Sequence, residues 1–150
     1  MSRLQTKSDA LYYHSAILIA WGDGTDGDAE AVIYTPHGIH APSLEAVSSA
    51  KPPIQTLAFL HGLHDVSIDY GLQLNLGAHN GLTAQKVLGA KYWIGTHDEV
   101  KKGGGLVSWF LRRKVYTVKD ALEKAKEETG GAEVEARFLE LKNGESEVLA

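Results

Sequence analysis

At 150 residues, with 43% hydrophobic and 23% charged content, the chain has the size and composition of one folded domain with a single core. Its net charge of −4 argues against nucleic acid or an anionic membrane as the main partner, since neither attracts an acidic surface. There is no cysteine, which excludes disulfides and thiolate metal sites, so any metal would be held by imidazole and carboxylate.

Residues 1–12 are polar and read as loose or peripheral. They contain no apolar stretch of signal-peptide length, and no run approaches a transmembrane span, so a cytoplasmic location is the expectation. His14-Ser-Ala-Ile-Leu-Ile-Ala-Trp21 is a continuous apolar, β-branched run suited to a buried strand. A Gly- and Asp-rich loop then leads into Glu30–Thr35, and the pair predicts a hairpin. The loop fails the calcium-loop pattern: counted from Asp23, the sixth position is Asp28 rather than Gly and the twelfth is Tyr34 rather than Glu.

Pro36 and Pro42 stop the strand around His37-Gly38-Ile39-His40. Ser43 predicts the N-cap of a short helix over Leu44–Val47. Lys51-Pro52-Pro53 reads as a stiff linker into a strand over Ile54–Leu60, whose end delivers His61-Gly62-Leu63-His64-Asp65. About 20 residues of loop precede a helix capped by Asn80 and stopped by Gly89, with Ala84, Val87 and Leu88 inward and Gln85 and Lys86 toward water. Lys91–Thr96 reads as the next strand, joined to the previous one by a crossover that suits parallel pairing.

Strand 91–96 releases Thr96-His97-Asp98-Glu99, the most chemically loaded cluster in the chain. The glycines at 103–105 follow two lysines but lack the Gly-Lys-Ser/Thr ending of a phosphate-cradling loop. Leu106–Leu111 is apolar enough to be packed, or to form a lid or interface, and Arg112-Arg113-Lys114 reads as a solvated edge. Thr117 caps the clearest helix, with Asp120 in its first turn and Val118, Leu122 and Ala125 inward, until Gly130-Gly131 stops it. An edge strand over Val134–Leu139 ends the pattern.

Three histidine groups each follow a different strand. His97, with Asp98 and Glu99, sits where loops leave the carboxyl ends of strands, a position suited to a metal ligand or general base. His61-x-x-His64-Asp65 has metal-ligand spacing if helical, although Gly62 favours a loop. His37 follows a rigid Pro36. There is no G-x-S-x-G, no H-E-x-x-H and no basic–aromatic interleaving of the nucleic-acid-binding kind.

The hairpin, Tyr34-Thr-Pro-His-Gly-Ile39, strand Ile54–Leu60 and Asn75-Leu-Gly-Ala-His-Asn-Gly-Leu-Thr-Ala-Gln-Lys-Val-Leu-Gly-Ala-Lys-Tyr-Trp-Ile-Gly-Thr-His-Asp-Glu99 together resemble the C-terminal half of a metallo-β-lactamase-fold hydrolase. The likeness is to the divergent branch found in fungi and plants and covers roughly residues 13–100, with 101–150 as a Gly-rich loop, helix and edge strand of the same single domain. It implies an α/β architecture, half of an αββα sandwich with a mixed sheet and flanking helices. It also implies zinc at the sheet edge and a metal-activated water as nucleophile.

In that family the last metal-binding histidine follows a late strand, and His97 matches it. The metal-bridging aspartate position after the hairpin is occupied by Pro36-His37, leaving His37 as a substitute ligand. His61, His64 and Asp65 are the further ligand candidates, and Asp98 and Glu99 would support the site. The family's H-x-H-x-D-H signature is absent from this chain.

The expectation is therefore a half-length, catalytically incomplete member with an unknown small-molecule substrate. The alternatives are a self-contained mononuclear His/Asp site, or a non-catalytic interaction module whose exposed sheet face binds a second copy or the missing N-terminal half.

Overall fold

The computed structural model describes residues 2–5, 14–22, 29–68, 71–96, 98, 105–128 and 137–150. His97, Glu99, the 23–28 loop, Gly103-Gly104 and Gly130-Gly131 lie outside the described residues. Strand β1 (Ser2–Gln5) pairs antiparallel with β2 (Ser15–Trp21), so the segment expected to be loose contributes an edge strand. β2 and β3 (Ala29–Thr35) form the expected antiparallel hairpin.

A 3-10 turn over Ala41–Leu44 runs into helix α1 (Glu45–Ser48). This helical segment starts earlier than the sequence indicates, because Pro42 fits the first turn, where no N–H is needed. β4 (Ile54–His61) then lies parallel to β3.

The stretch expected to be a long loop instead folds as a second hairpin, β5 (Asp65–Ile68) and β6 (Leu72–Asn75), with Gly71 at φ 84° in its turn. Helix α2 (Ala78–Leu88) starts two residues before Asn80, and Gly89 ends it at φ 59°. β7 (Tyr92–Gly95) returns parallel to β4. The apolar run near residue 106 splits into helix α3 (Leu106–Phe110) and strand β8 (Leu111–Lys114), which pairs with β5. Trp109, in the run expected to be packed or to form a lid or interface, is 80% exposed and so is not packed within this chain.

Helix α4 (Val118–Glu128) is capped as the sequence indicates: Thr117 N–H donates to Asp120 Oδ2 at 2.7 Å, and Asp120 N–H donates to Thr117 Oγ1. Its most buried residues are Ala121 and Ala125, with Val118 and Leu122 half-buried. β9 (Arg137–Leu139) closes the large sheet at its edge beside β7. The class is mixed α/β. A six-stranded sheet in the order β1-β2-β3-β4-β7-β9 and a three-stranded sheet β6-β5-β8 are combined with helices.

The two faces of the six-stranded sheet follow from its period of two. Leu18, Ile33, Phe59, Trp93 and Phe138 form one cross-strand row. This row packs with Ile39, Leu44, Leu82 and Leu88 from the helical side. The rings of Trp93 and Phe138 lie 4.4 Å apart and those of Trp93 and Phe59 6.0 Å apart. Burying such rings contributes on the order of 2–3 kcal/mol each. The opposite face carries the row Ile17, Tyr34, Leu60, Ile94 and Leu139, all half-buried. Gln85, expected to face water, is buried and its Nε2 donates to Ala90 O at 2.9 Å, closing the end of α2.

Among the described residues, no helix is long and apolar enough to cross a membrane.

Candidate functional site

Strands β3, β4 and β7 are adjacent and parallel, and their last residues stand in register: Thr35 beside His61, and His61 beside Gly95. Loops leaving parallel strands at the same end must emerge along one edge. Pro36-His37, Gly62-Leu63-His64, Thr96 and Asp98 belong to those loops. His37, His64, Asn75, Asp98, Gly38 and Gly62 line one small cleft there, with a volume of about 10 Å³. That is the scale of a single water-sized occupant.

His61 does not belong to the open part of this edge. It is fully buried and lies two residues after Phe59, so it shares the inward face of β4; the two rings stack at 5.0 Å. Its Nδ1 lies 2.7 Å from Thr35 Oγ1, and its Nε2 lies 3.2 Å from the Gly77 carbonyl. The carbonyl can only accept, so Nε2 carries the proton and Nδ1 accepts from the threonine hydroxyl. Burial lowers the His61 pKa from 6.5 to about 4, against the raising effect of the Gly77 carbonyl. Both ring nitrogens of His61, a candidate metal ligand from the sequence, are thus hydrogen-bonded inside the protein, away from the open cleft.

Asp65 is likewise partly committed, because its Oδ1 accepts from Gly77 N–H at 2.8 Å just ahead of α2. No helix forms over 61–65, so the shared helical face required for His61, His64 and Asp65 does not arise.

His64 is buried, and its Nδ1 lies 3.4 Å from Tyr116 N and 3.7 Å from Asp98 Oδ1. Asp98 Oδ1 accepts from the backbone N–H of Leu63 at 2.7 Å and of His64 at 3.3 Å, tying the β7 loop to the β4 loop. Asp98 Oδ2 is buried without a hydrogen-bond partner. Desolvation raises the Asp98 pKa above the usual carboxylate value, opposed by the Leu63 and His64 amides and by the nearby His64 ring. A carboxyl group with one clamped oxygen and one unpartnered oxygen is a ready acceptor for a proton or cation.

His37 is exposed, and its Nδ1 lies 2.9 Å from Asn75 Oδ1. Asn75 was not singled out by the sequence; its place at the end of a short alternating Leu-Gln-Leu-Asn run was the available signal.

Glycines make this close approach of loops possible. A Cβ on Gly38 would lie 2.6 Å from Leu76 Cβ, and one on Gly62 would lie 2.8 Å from the Thr96 carbonyl. Among the described residues, no three His, Asp or Glu side chains are grouped so as to hold a metal ion. His37, His64 and Asp98 thus converge on one cleft without completing the three-ligand set a catalytic zinc requires. Compared with models of known families, with characterised proteins and with solved structures, this chain matches none.

Proposed function

We propose that the chain is the C-terminal half of a metallo-β-lactamase-like hydrolase domain, supplying part of a metal site and one sheet of the sandwich. The observation that carries this reading is the convergence of His37, His64 and Asp98 at the common end of three adjacent parallel strands. In this reading the remaining ligands come from His97 and from a second, N-terminal half.

The interaction reading is favoured by a separate observation. The Ile17–Tyr34–Leu60–Ile94–Leu139 row crosses five strands on the face opposite the helices. A second sheet would pack on that face about 10 Å away in a sandwich. The two readings describe one arrangement, in which the same partner half covers the sheet and completes the site.

The test is calorimetric zinc titration of the isolated chain and of His37→Ala and Asp98→Asn. The expected result is binding weaker than micromolar that each substitution weakens further. Stoichiometric sub-micromolar binding would show a site complete without a partner half. Binding unchanged by both substitutions would move the metal away from this edge.

A further inference from the structure

The outward face of the six-stranded sheet is covered at one end by residues 146–150 of the same chain. A second cross-strand row runs beside the one described above: Ile19, Val32, Ala58, Tyr92 and Arg137 stand in register across β2, β3, β4, β7 and β9. Residues of one row share one side of the sheet. Exposure nonetheless falls along it, from 51% at Ile19 on β2 to 4% at Tyr92 on β7. A tyrosine on the side of a sheet away from the core is buried only when something lies over it.

The cover follows from the direction of β9. This strand is parallel to β7, so the chain moves away from the level of Tyr92, whose partner is Arg137, and has to reverse to return there. The reversal is a turn at 142–145. Glu145 N–H donates to Lys142 O at 2.9 Å, Lys142 N–H donates to Glu145 Oε2 at 2.9 Å, and Gly144 takes φ 86°. Residues 146–150 then run back in neither helix nor strand, with Val148 exposed and Leu149 half-buried. The Tyr92 hydroxyl donates to Ala150 O at 2.9 Å, and the Lys91 ammonium donates to the same oxygen. A segment held by side-chain bonds and one half-buried leucine, outside any strand ladder, can open without disturbing either sheet.

We propose that residues 146–150 are a releasable strap whose docking on Tyr92 withholds this end of the face from a second copy of the chain. The choice of occupant rests on the interaction reading given above. From β2 to β7 both rows are made of uncharged side chains, so a second copy turned by a two-fold axis meets the same apolar surface without opposing charges. Strap and second copy compete for one area, so undocking the strap raises the fraction of chains able to pair.

The test compares the full chain with its Tyr92→Phe and Leu149→Ser variants by amide NMR relaxation and sedimentation equilibrium. Tyr92→Phe removes the hydroxyl and keeps the ring, whereas Leu149→Ser loosens the strap and leaves the sheet intact. Residues 146–150 should be ordered on the nanosecond timescale in the unmodified chain and mobile in both variants. Self-association should tighten by about fivefold or more in each variant. Strap residues as mobile in the unmodified chain as in the variants, or equal and measurable association in all three proteins, would overturn the strap. A released strap with all three proteins monomeric would overturn the interaction reading of the face, and the strap's role with it.

Discussion

The buried histidine makes the sharpest prediction, because its neutral state is written into stability as a function of pH. His61 has a pKa of about 4 in the folded chain against 6.5 when solvated. Between those values the unfolded chain binds a proton that the folded chain refuses, so stability rises with pH across that window. The contribution is fully present above 6.5 and is lost progressively as pH falls toward about 4. Over the whole window the loss is about 3 kcal/mol, and from pH 7.5 to pH 5 it is about 2 kcal/mol.

Other groups titrate in the same range, so the difference between two proteins isolates this one. His61→Gln keeps an acceptor and a donor for Thr35 and Gly77 but has no proton equilibrium. Urea unfolding of both proteins at pH 7.5 and pH 5 should show the wild-type chain losing about 2 kcal/mol more than the variant. Parallel losses would mean that His61 is not held neutral in the core.

Three further outcomes follow from the same packing. Gly81→Ala puts a methyl 2.4 Å from Trp93 Cζ2 and 2.5 Å from His61 Cδ2, so overpacking outweighs the better helix propensity. Chemical denaturation should show a loss of about 1–3 kcal/mol, and a gain would refute the packing of α2 on Trp93. Asp98→Ala removes the acceptor for the Leu63 and His64 amides and should cost about 2 kcal/mol, whereas Asp98→Asn keeps an oxygen there and should cost much less; equal unfolding midpoints for the two variants would deny the clamp. Thr35→Val leaves His61 Nδ1 as a buried acceptor without its donor and should destabilise by about 1–3 kcal/mol in the same assay; an unchanged midpoint would refute that hydrogen bond.

The elements legible in the sequence are those with an unambiguous period or cap. The Ser15–Thr35 hairpin, the strand ending at His61, α2 with Gly89 and α4 with Thr117 and Asp120 all follow from such signals. The second sheet was missed because its strands are four residues each and half polar. Alternation at Leu72-Gln-Leu-Asn75 and at Leu111–Lys114 was the signal, and the flanking apolar and basic runs obscured it.

His61 follows the predicted strand as a loop residue, yet it continues the inward parity of Phe59, which is enough to predict burial. The polarity of Gln85 alone indicates exposure, and its bond to the Ala90 carbonyl depends on how the chain turns after Gly89. The convergence of His37, His64 and Asp98 depends on the order in which strands pair, which no local pattern specifies. The second sheet requires the pairing of β8 with β5 across more than forty residues of chain.

We propose that His37, His64 and Asp98 form part of one metal-binding edge, while His61 is buried in the core. Imidazole NMR resonances followed during a zinc titration test this most directly. His37 and His64 should respond together at the lowest zinc concentrations, while His61 should not move. A first response at His61, or at His40 or His79 with His37 and His64 unchanged, would contradict it.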